Sequence, residues 1–380
     1  MRVLVTGGAG FIGSWLVDAL IKNGYAVTVI DNLSPAIHGA LPRLEVEWLH
    51  SGAAEFVRAD IRDAAVMDGI LARVDAVVHL AAETGTGQSM YQISHYYDVN
   101  QQATAALFEA VGTRHRHVKR IILASSRSIY GEGAYELDGR VITAKPRTVE
   151  RMRSARFEPV GPGGEALAPV ATSEAVTPMP ASVYAATKLA NEVLGQIFSE
   201  SYGASVLALR FQNVYGERQS LRNPYTGILS IFSNRIRQGL PVNIFEDGLE
   251  SRDFVHVSDV VRAIVLALDS ELQGFHSINV GSGVPTPVIK VAETLKNILG
   301  GDSKLTITGD FRIGDIRHCY ADLTLARATL GYEPLLTVER GLLMFCSWVL
   351  TQPVVVDRSD LAMSELARHG LSGGRLGGQG

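Results

Sequence analysis

A chain of 380 residues has room for one large domain or two small ones, and with 46% hydrophobic and 19% charged residues it can bury a sizeable core, so disorder is not its default. A net charge of −4 gives no global cationic field, so nucleic acid is not an expected partner. No apolar run approaches the roughly 18 residues of a membrane span, no signal-peptide pattern opens the chain, and Cys319 and Cys346 lack metal-ligand spacing, so the expectation is a cytoplasmic protein with reduced thiols, no metal and no membrane partner.

The first predicted element is a strand over Arg2–Thr6, and a helix is expected over Phe11–Asn23. Between them lies Thr6-Gly7-Gly8-Ala9-Gly10-Phe11-Ile12-Gly13. Side chains on Gly7 or Gly10 would obstruct a tight turn or the approach of a pyrophosphate, and Gly13 lets the helix pack on the sheet. The N–H groups at Phe11, Ile12 and Gly13 then face that pyrophosphate, where the helix N-terminus favours negative charge. A second strand, Ala26–Ile30, ends at Asp31 and Asn32, about 20 residues beyond the glycines. A carboxylate there accepts from both ribose hydroxyls and repels a 2′-phosphate, which favours NAD over NADP. Asp60 and Ile61 follow a further strand and are expected to bracket the adenine.

Val74–Leu80 and Arg120–Ala124 are further strand-like runs, while Asn100–Thr113 and Tyr184–Tyr202 have helical spacing. This alternation predicts an α/β fold with a parallel sheet covered on both faces. Residues 131–180 interrupt it with clustered Gly, Pro and Arg, and read as a long loop or small subdomain. The expected division is a dinucleotide-binding domain over 1–211 including that insertion, a smaller mixed α/β substrate region over 212–350, and a largely disordered, Gly-rich tail over 351–380.

The strand before residue 125 ends in Ser125-Ser126-Arg127-Ser128-Ile129-Tyr130-Gly131, and much later comes Tyr184-Ala185-Ala186-Thr187-Lys188. Four residues apart on a helix, Tyr184 and Lys188 share a face. A nearby ammonium favours the phenolate and is expected to lower the tyrosine pKa toward neutrality, making Tyr184 a base for a substrate hydroxyl. Ser126 is placed to hydrogen-bond the same oxygen, and Lys188 to reach the nicotinamide ribose.

With the glycine turn, His79-Leu80-Ala81-Ala82, the serine segment, Tyr184/Lys188 and Arg252-Asp253-Phe254-Val255-His256-Val257 in order, the chain resembles the extended short-chain dehydrogenase/reductases of the nucleotide-sugar epimerase/dehydratase family. The resemblance implies a Rossmann-like doubly wound sheet, a tightly held NAD, a nucleotide-diphosphate sugar as substrate and a homodimer. It places Leu80, Ala81, Ala82 and Asn100 at the cofactor, as it does Tyr184 and Lys188. It implies that Asn213, Arg252 and Arg312 hold the diphosphate, with Asp315 completing an Arg-x-x-Asp pattern. Thr84, Ser126 and Arg127 fall at the sugar, and Asn243, in the run Val242–Phe245, beside the nucleobase. His79 is expected to pack without transferring protons.

The family's 4,6-dehydratases follow the Ser126 position with an Asp-Glu pair, and its decarboxylases place a glutamate in the same stretch. Here those positions are Arg127 and Ser128, which points to simple 4-epimerisation. Residues 83–90, Phe157-Glu158-Pro159, Asn223-Pro224-Tyr225-Thr226-Gly227 and Phe245-Glu246-Asp247-Gly248 resemble a bacterial subgroup that includes dTDP-L-rhamnose 4-epimerases. Some relatives seen in that light carry Cys-x-x-Cys in the insertion, where this chain has Val160-Gly161-Pro162-Gly163. The alternatives are an NAD-dependent oxidoreductase or epimerase acting on a UDP-uronic acid or deoxyaminosugar, and, outside enzymes, a dinucleotide sensor.

Overall fold

The computed structural model describes residues 1–39, 46–223 and 227–374. Strand Arg2–Thr6 lies inside a seven-stranded sheet whose spatial order is Phe275–Val280, Ser205–Phe211, Arg120–Ser126, Ala76–His79, Arg2–Thr6, Ala26–Asp31 and Glu55–Arg58. Every pairing in it is parallel. The strands alternate sides as their period of two requires. Val3 and Val5 pack into the core shared with helices Phe11–Lys22 and Val257–Asp269, while Leu4 packs into the opposite core with helices Ala64–Leu71 and Ala103–Thr113.

The order of winding reverses between Arg2–Thr6 and Ala76–His79, which are neighbours in space although two strands separate them in sequence. A crevice opens outside the carboxyl ends of strands at such a switch point. The glycine turn and Leu80–Ala82 both leave from it.

The division at residue 211 does not close this sheet. Its edge strand, Phe275–Val280, comes from the later half and pairs residue by residue with Ser205–Phe211. Helix Val257–Asp269 likewise returns to cover the face carrying Phe11–Lys22. The remaining later elements form a smaller unit around helices Ile228–Arg237, Val288–Leu299 and Val338–Thr351, with its own buried core of Phe232, Phe254, Leu295 and Phe345.

Residues 131–180 are a small subdomain. A hairpin of Ala134–Leu137 and Arg140–Thr143 is joined by Ala168–Pro169, and Val149–Arg153 is helical. The expectation of a largely disordered tail is corrected as far as Gly374. Ser359–Arg368 is a helix, and Ser372–Gly373 pairs antiparallel with Phe311–Arg312. Composition alone suggested disorder; the order comes from contacts with distant residues. Residues 375–380 lie outside the described residues, as do Pro224-Tyr225-Thr226 of the motif noted above. Among the described residues no helix is long and apolar enough to cross a membrane.

Candidate active site

A cleft of about 890 Å³ runs from the switch point into the smaller unit. At its inner end the chain leaves Thr6 through Gly7, whose φ of +68° is left-handed. A Cβ there would lie 2.8 Å from the Ala81 nitrogen, and one on Gly13 would lie 2.2 Å from the Gly7 oxygen. The glycines therefore let two strand ends and a helix meet, and a wider cradle would not form with side chains present. Helix Phe11–Lys22 begins without a side-chain cap, so its first N–H groups face the cleft.

Asp31 is held in place by its neighbours. It accepts from the Ala9 nitrogen at 3.1 Å and the Leu33 nitrogen at 2.8 Å. Asn32 donates to Asp60 at 3.0 Å, and Arg62 grips the same carboxylate through side chain and backbone. The Arg62 hydrogen bonds hold the Asp60 carboxyl well below the usual range, so it stays an acceptor. Ile61, Leu80, Ala81 and Ala82 line the same end, with Gly10, Phe11 and Ile12. This donor and acceptor set fits a dinucleotide.

Asn100 is the exception among the expected cofactor contacts. It is buried behind the cleft wall, where its carboxamide accepts from the Glu83 nitrogen at 2.8 Å and donates to the Glu83 oxygen at 3.0 Å and Thr187 Oγ1 at 3.2 Å. It ties the segment after strand Ala76–His79 to the Tyr184 helix and does not line the cleft. His79 also lies outside the lining. Burial, then the Lys188 charge, push it down to about 3, so it is neutral and bridges Thr6 to Thr104.

Midway along the cleft, Ser126 ends strand Arg120–Ser126 and Tyr184 opens helix Val183–Tyr202, which Ser182 caps through the Ala185 nitrogen. The Ser126 hydroxyl lies close enough to the Tyr184 phenol to favour its ionised form. Lys188 donates to the Ala124 oxygen at 2.8 Å, with its Nζ 5.7 Å from the centre of the Tyr184 ring. Burial brings its ammonium down to about 8. The expected lowering of the tyrosine pKa is not what this arrangement produces. Burial pushes the Tyr184 phenol above its ordinary value, against the Ser126 hydroxyl and the Arg127 charge. The Lys188 ammonium points at a carbonyl, and desolvation of the phenolate outweighs what charge reaches it.

Arg127 lines the cleft beside this pair. Burial, then repulsion from Arg252, bring its guanidinium down to about 10. Among the described residues it has neither an ion pair nor a hydrogen-bond acceptor. Ser128 donates to Ser126 at 3.0 Å.

At the outer end, Arg252 donates to the backbone oxygens of Ser251, Arg317 and Ile316 at 2.7 to 3.0 Å, so its position is fixed, and among the described residues it forms no ion pair within 4 Å. Arg312 pairs with Asp315 at 2.8 Å and lies 5.2 Å from the centre of the Phe245 ring. Burial pushes the Asp315 carboxyl up, but Arg312 and Arg252 outweigh it and hold it below its ordinary range. Asn213, Asn243 and Thr84 also line the cleft, and the buried Asn213 Oδ1 has no hydrogen-bond partner among the described residues. In the run Val242–Phe245, Asn243 and Phe245 face the cleft, while Val242 and Ile244 are core.

The insertion buttresses this end. Arg147 donates to Glu132 at 2.8 Å, to Glu246 at 2.7 Å and to the Asp315 oxygen at 2.9 Å. Arg317, fully buried, reaches Glu158, Glu246 and Asp247, and its nitrogen donates to Glu132 at 2.6 Å. Two arginines thus join the subdomain to the loop bearing Arg312 and Asp315. Sequence reasoning missed this network, as it missed Glu250 and the cleft-lining residues Met363, Leu366 and Leu371 of the tail.

The NAD dependent epimerase/dehydratase family model matches residues 3–281. A dTDP-L-rhamnose 4-epimerase from Burkholderia thailandensis is 38% identical over 351 residues, covering 92% of this chain and 94% of its own. Among solved structures, a UDP-glucose 4-epimerase with UDP-glucose from Thermotoga maritima has a TM-score of 0.75 at 32% identity, covering 92% of this chain and 99% of that one. A UDP-glucuronic acid 4-epimerase from Bacillus cereus, in complex with UDP-glucuronic acid and NAD, has a TM-score of 0.76 at 27% identity with the same coverage. The chain belongs to the NAD-dependent epimerase/dehydratase family.

Proposed function

We propose that the protein is an NAD-dependent nucleotide-sugar 4-epimerase, with dTDP-L-rhamnose and its C4 epimer as the leading substrate pair. The observation that carries this reading is the reacting site itself. Ser126 and Tyr184 stand together beside Arg127 and Ser128, and no carboxylate of the described residues hydrogen-bonds either member of the pair. Oxidation and reduction at one carbon need a single proton-transfer group, whereas loss of water needs further acid and base.

In this mechanism Tyr184 takes the proton of the C4 hydroxyl and Ser126 hydrogen-bonds the same oxygen. NAD, held in the dinucleotide end of the cleft, would supply the hydride acceptor for C4 oxidation and, once reduced, the donor for C4 reduction. Asn213, Arg252 and Arg312 hold the diphosphate while the sugar turns, and guanidinium forks suit phosphate oxygens. Asp31, Asn32, Asp60 and the glycine turn bind the dinucleotide, with Lys188 at the nicotinamide ribose and Asn100 acting only as a positioning residue. Tyr184 then returns the proton to the oxygen on the opposite face. Conversion of dTDP-L-rhamnose without net cofactor reduction tests the reading.

A second reading is 4-epimerisation of a UDP-uronic acid. The unpaired guanidinium of Arg127 favours it, because a carboxylate on the sugar would neutralise that charge. UDP-glucuronic acid as a parallel substrate separates the two.

The assembly in this account is a cytoplasmic homodimer. Val193 and Ile197, four apart on helix Val183–Tyr202, are 51% and 55% exposed and form an apolar stripe that a second copy would cover. Light scattering is expected to give twice the chain mass, and Val193→Glu with Ile197→Glu to give the monomer. A wild-type monomer contradicts this part.

A further inference from the structure

The C-terminal segment crosses the mouth of the cleft and touches both of its walls. On the side of the smaller unit Arg235, itself buried, donates to Asp357 at 2.6 Å, Ser359 at 2.9 Å and Asp360 at 3.0 Å. Further on, the Ile313 nitrogen donates to the Leu371 oxygen at 2.9 Å, and Ser372 pairs with Arg312. From the opposite wall, Tyr91 donates to Glu365 at 2.9 Å and stacks on His369 at 4.6 Å between ring centres. Helix Ser359–Arg368 and the short strand Ser372–Gly373 after it therefore bridge the segment that follows Leu80–Ala82 and the loop that carries Arg312.

On the underside of this bridge, Met363 and Leu366 face the cleft. Leu366 lies directly on Gly87, where an added Cβ would come within 3.2 Å of Leu366 Cδ2. The glycine lets the two walls close onto each other at the sugar end. The attachments are mainly polar, and the apolar contact is small. Of the helix only Ala362 and Leu366 are buried, while Leu361 is 66% exposed and Val356, before the helix, 79%. An element with so little buried contact opens at low free-energy cost, so substrate can enter beneath it.

Epimerisation makes an unusual demand on such a wall. After oxidation the uncharged 4-keto group has to turn over inside the cleft, held only by its nucleotide end. We propose that the C-terminal strap, through Leu366 seated on Gly87, is a substrate-retaining wall that keeps the 4-keto sugar nucleotide in the cleft until it is reduced. The inference rests on the epimerase reading above. The balance of a leak is fixed: a hydride leaves the C4–H bond for the cofactor and a proton leaves the O–H bond, two electrons and two protons in all, so each ketone lost leaves one reduced cofactor on the enzyme.

The test uses the full-length holoenzyme with dTDP-L-rhamnose, comparing wild type, Leu366→Ala and Tyr91→Ala. Reduced cofactor is followed by its near-ultraviolet absorbance, and released ketone is trapped in the filtrate with borodeuteride and identified by mass spectrometry. Truncating a buried leucine weakens closure on the order of tenfold, so both variants are expected to accumulate reduced cofactor and release ketone one for one, about tenfold above wild type. Variants that hold NAD, epimerise at the wild-type rate and release no more ketone than wild type overturn the proposal alone. A wild-type enzyme that converts no sugar nucleotide removes the epimerase reading and this proposal with it.

Discussion

Tyr184 is subject to opposing influences. Burial keeps its proton on, while the Ser126 hydroxyl and the Arg127 charge pull it off, and Lys188 is occupied by the Ala124 oxygen. The phenol thus holds its proton more tightly than an exposed tyrosine does, and in the proposed mechanism the positive charge of NAD would favour its release. Removing the hydroxyl by Tyr184→Phe is expected to cut kcat by about 10²–10⁴-fold. Bound NAD, released by acid and assayed, should remain at wild-type level, because the proposed dinucleotide site at the glycine turn and Asp31 is untouched. Conversion at near the wild-type rate contradicts the assignment.

Glu250 makes a second residue-scale case. Burial pushes its carboxyl up to about 7 against the pull of Arg252, with Glu246 adding to the rise and Arg317 Nη1 3.9 Å away. Its buried Oε2 has no hydrogen-bond partner among the described residues. A folded value above the unfolded one means that the native state binds the proton more tightly. The stabilisation is complete below the unfolded value and is lost as pH rises through about 7. It amounts to no more than about 3 kcal/mol. Glu250→Gln is expected to flatten the fall in Tm between about pH 5 and pH 8. Identical slopes for the two proteins count against this account.

At the scale of elements, the insertion and the loop after Phe311 behave as one piece. Glu132 and Arg317 are 185 positions apart, yet the nitrogen of one donates to the carboxylate of the other. Arg317 is fully buried among Glu158, Glu246 and Asp247, so taking it away leaves carboxylates facing one another without a counter-charge. Arg317→Met is expected to lower stability by about 3–5 kcal/mol in urea unfolding. It should also raise KM, since the loop bearing Arg312 and Asp315 loses its support. A variant within experimental error of wild type in both would show the network to be idle.

These elements also mark what the sequence could tell. The central sheet was legible because its strands are short apolar runs between polar ends, and its crevice because three glycines at a strand end have one common use. Leu80–Ala82, Ser126 and Tyr184 were placed by their positions at strand and helix ends. The direction in which Lys188 points was not legible, since helical spacing fixes a shared face and not the partner chosen there. Nor was the role of Asn100, whose carboxamide turns away from the cleft to Glu83 and Thr187. The ion network joins Glu132, Arg147 and Glu158 of the insertion to Glu246, Asp247 and Arg317, and no local pattern announces it. The tail looked disordered because its composition is polar and glycine-rich, while its anchors, Arg235 and Tyr91, lie far upstream.

Taken as a whole, the molecule divides the reaction between its parts. In the proposed mechanism the parallel sheet takes the dinucleotide and carries the proton-transfer pair, the smaller unit takes the nucleotide diphosphate, and the insertion and the strap line the far side of the cleft. Because the oxidised and reduced states must alternate on one bound sugar, the enzyme as a whole should turn over without consuming cofactor. Proton NMR of the purified holoenzyme with dTDP-L-rhamnose tests that directly, with UDP-glucuronic acid and UDP-glucose in parallel. The account predicts a new anomeric signal from the C4 epimer of one of them, approached from either side, with no build-up of reduced cofactor. Stoichiometric reduction of NAD with a stable oxidised sugar, or no change in any of these sugar nucleotides, would contradict it.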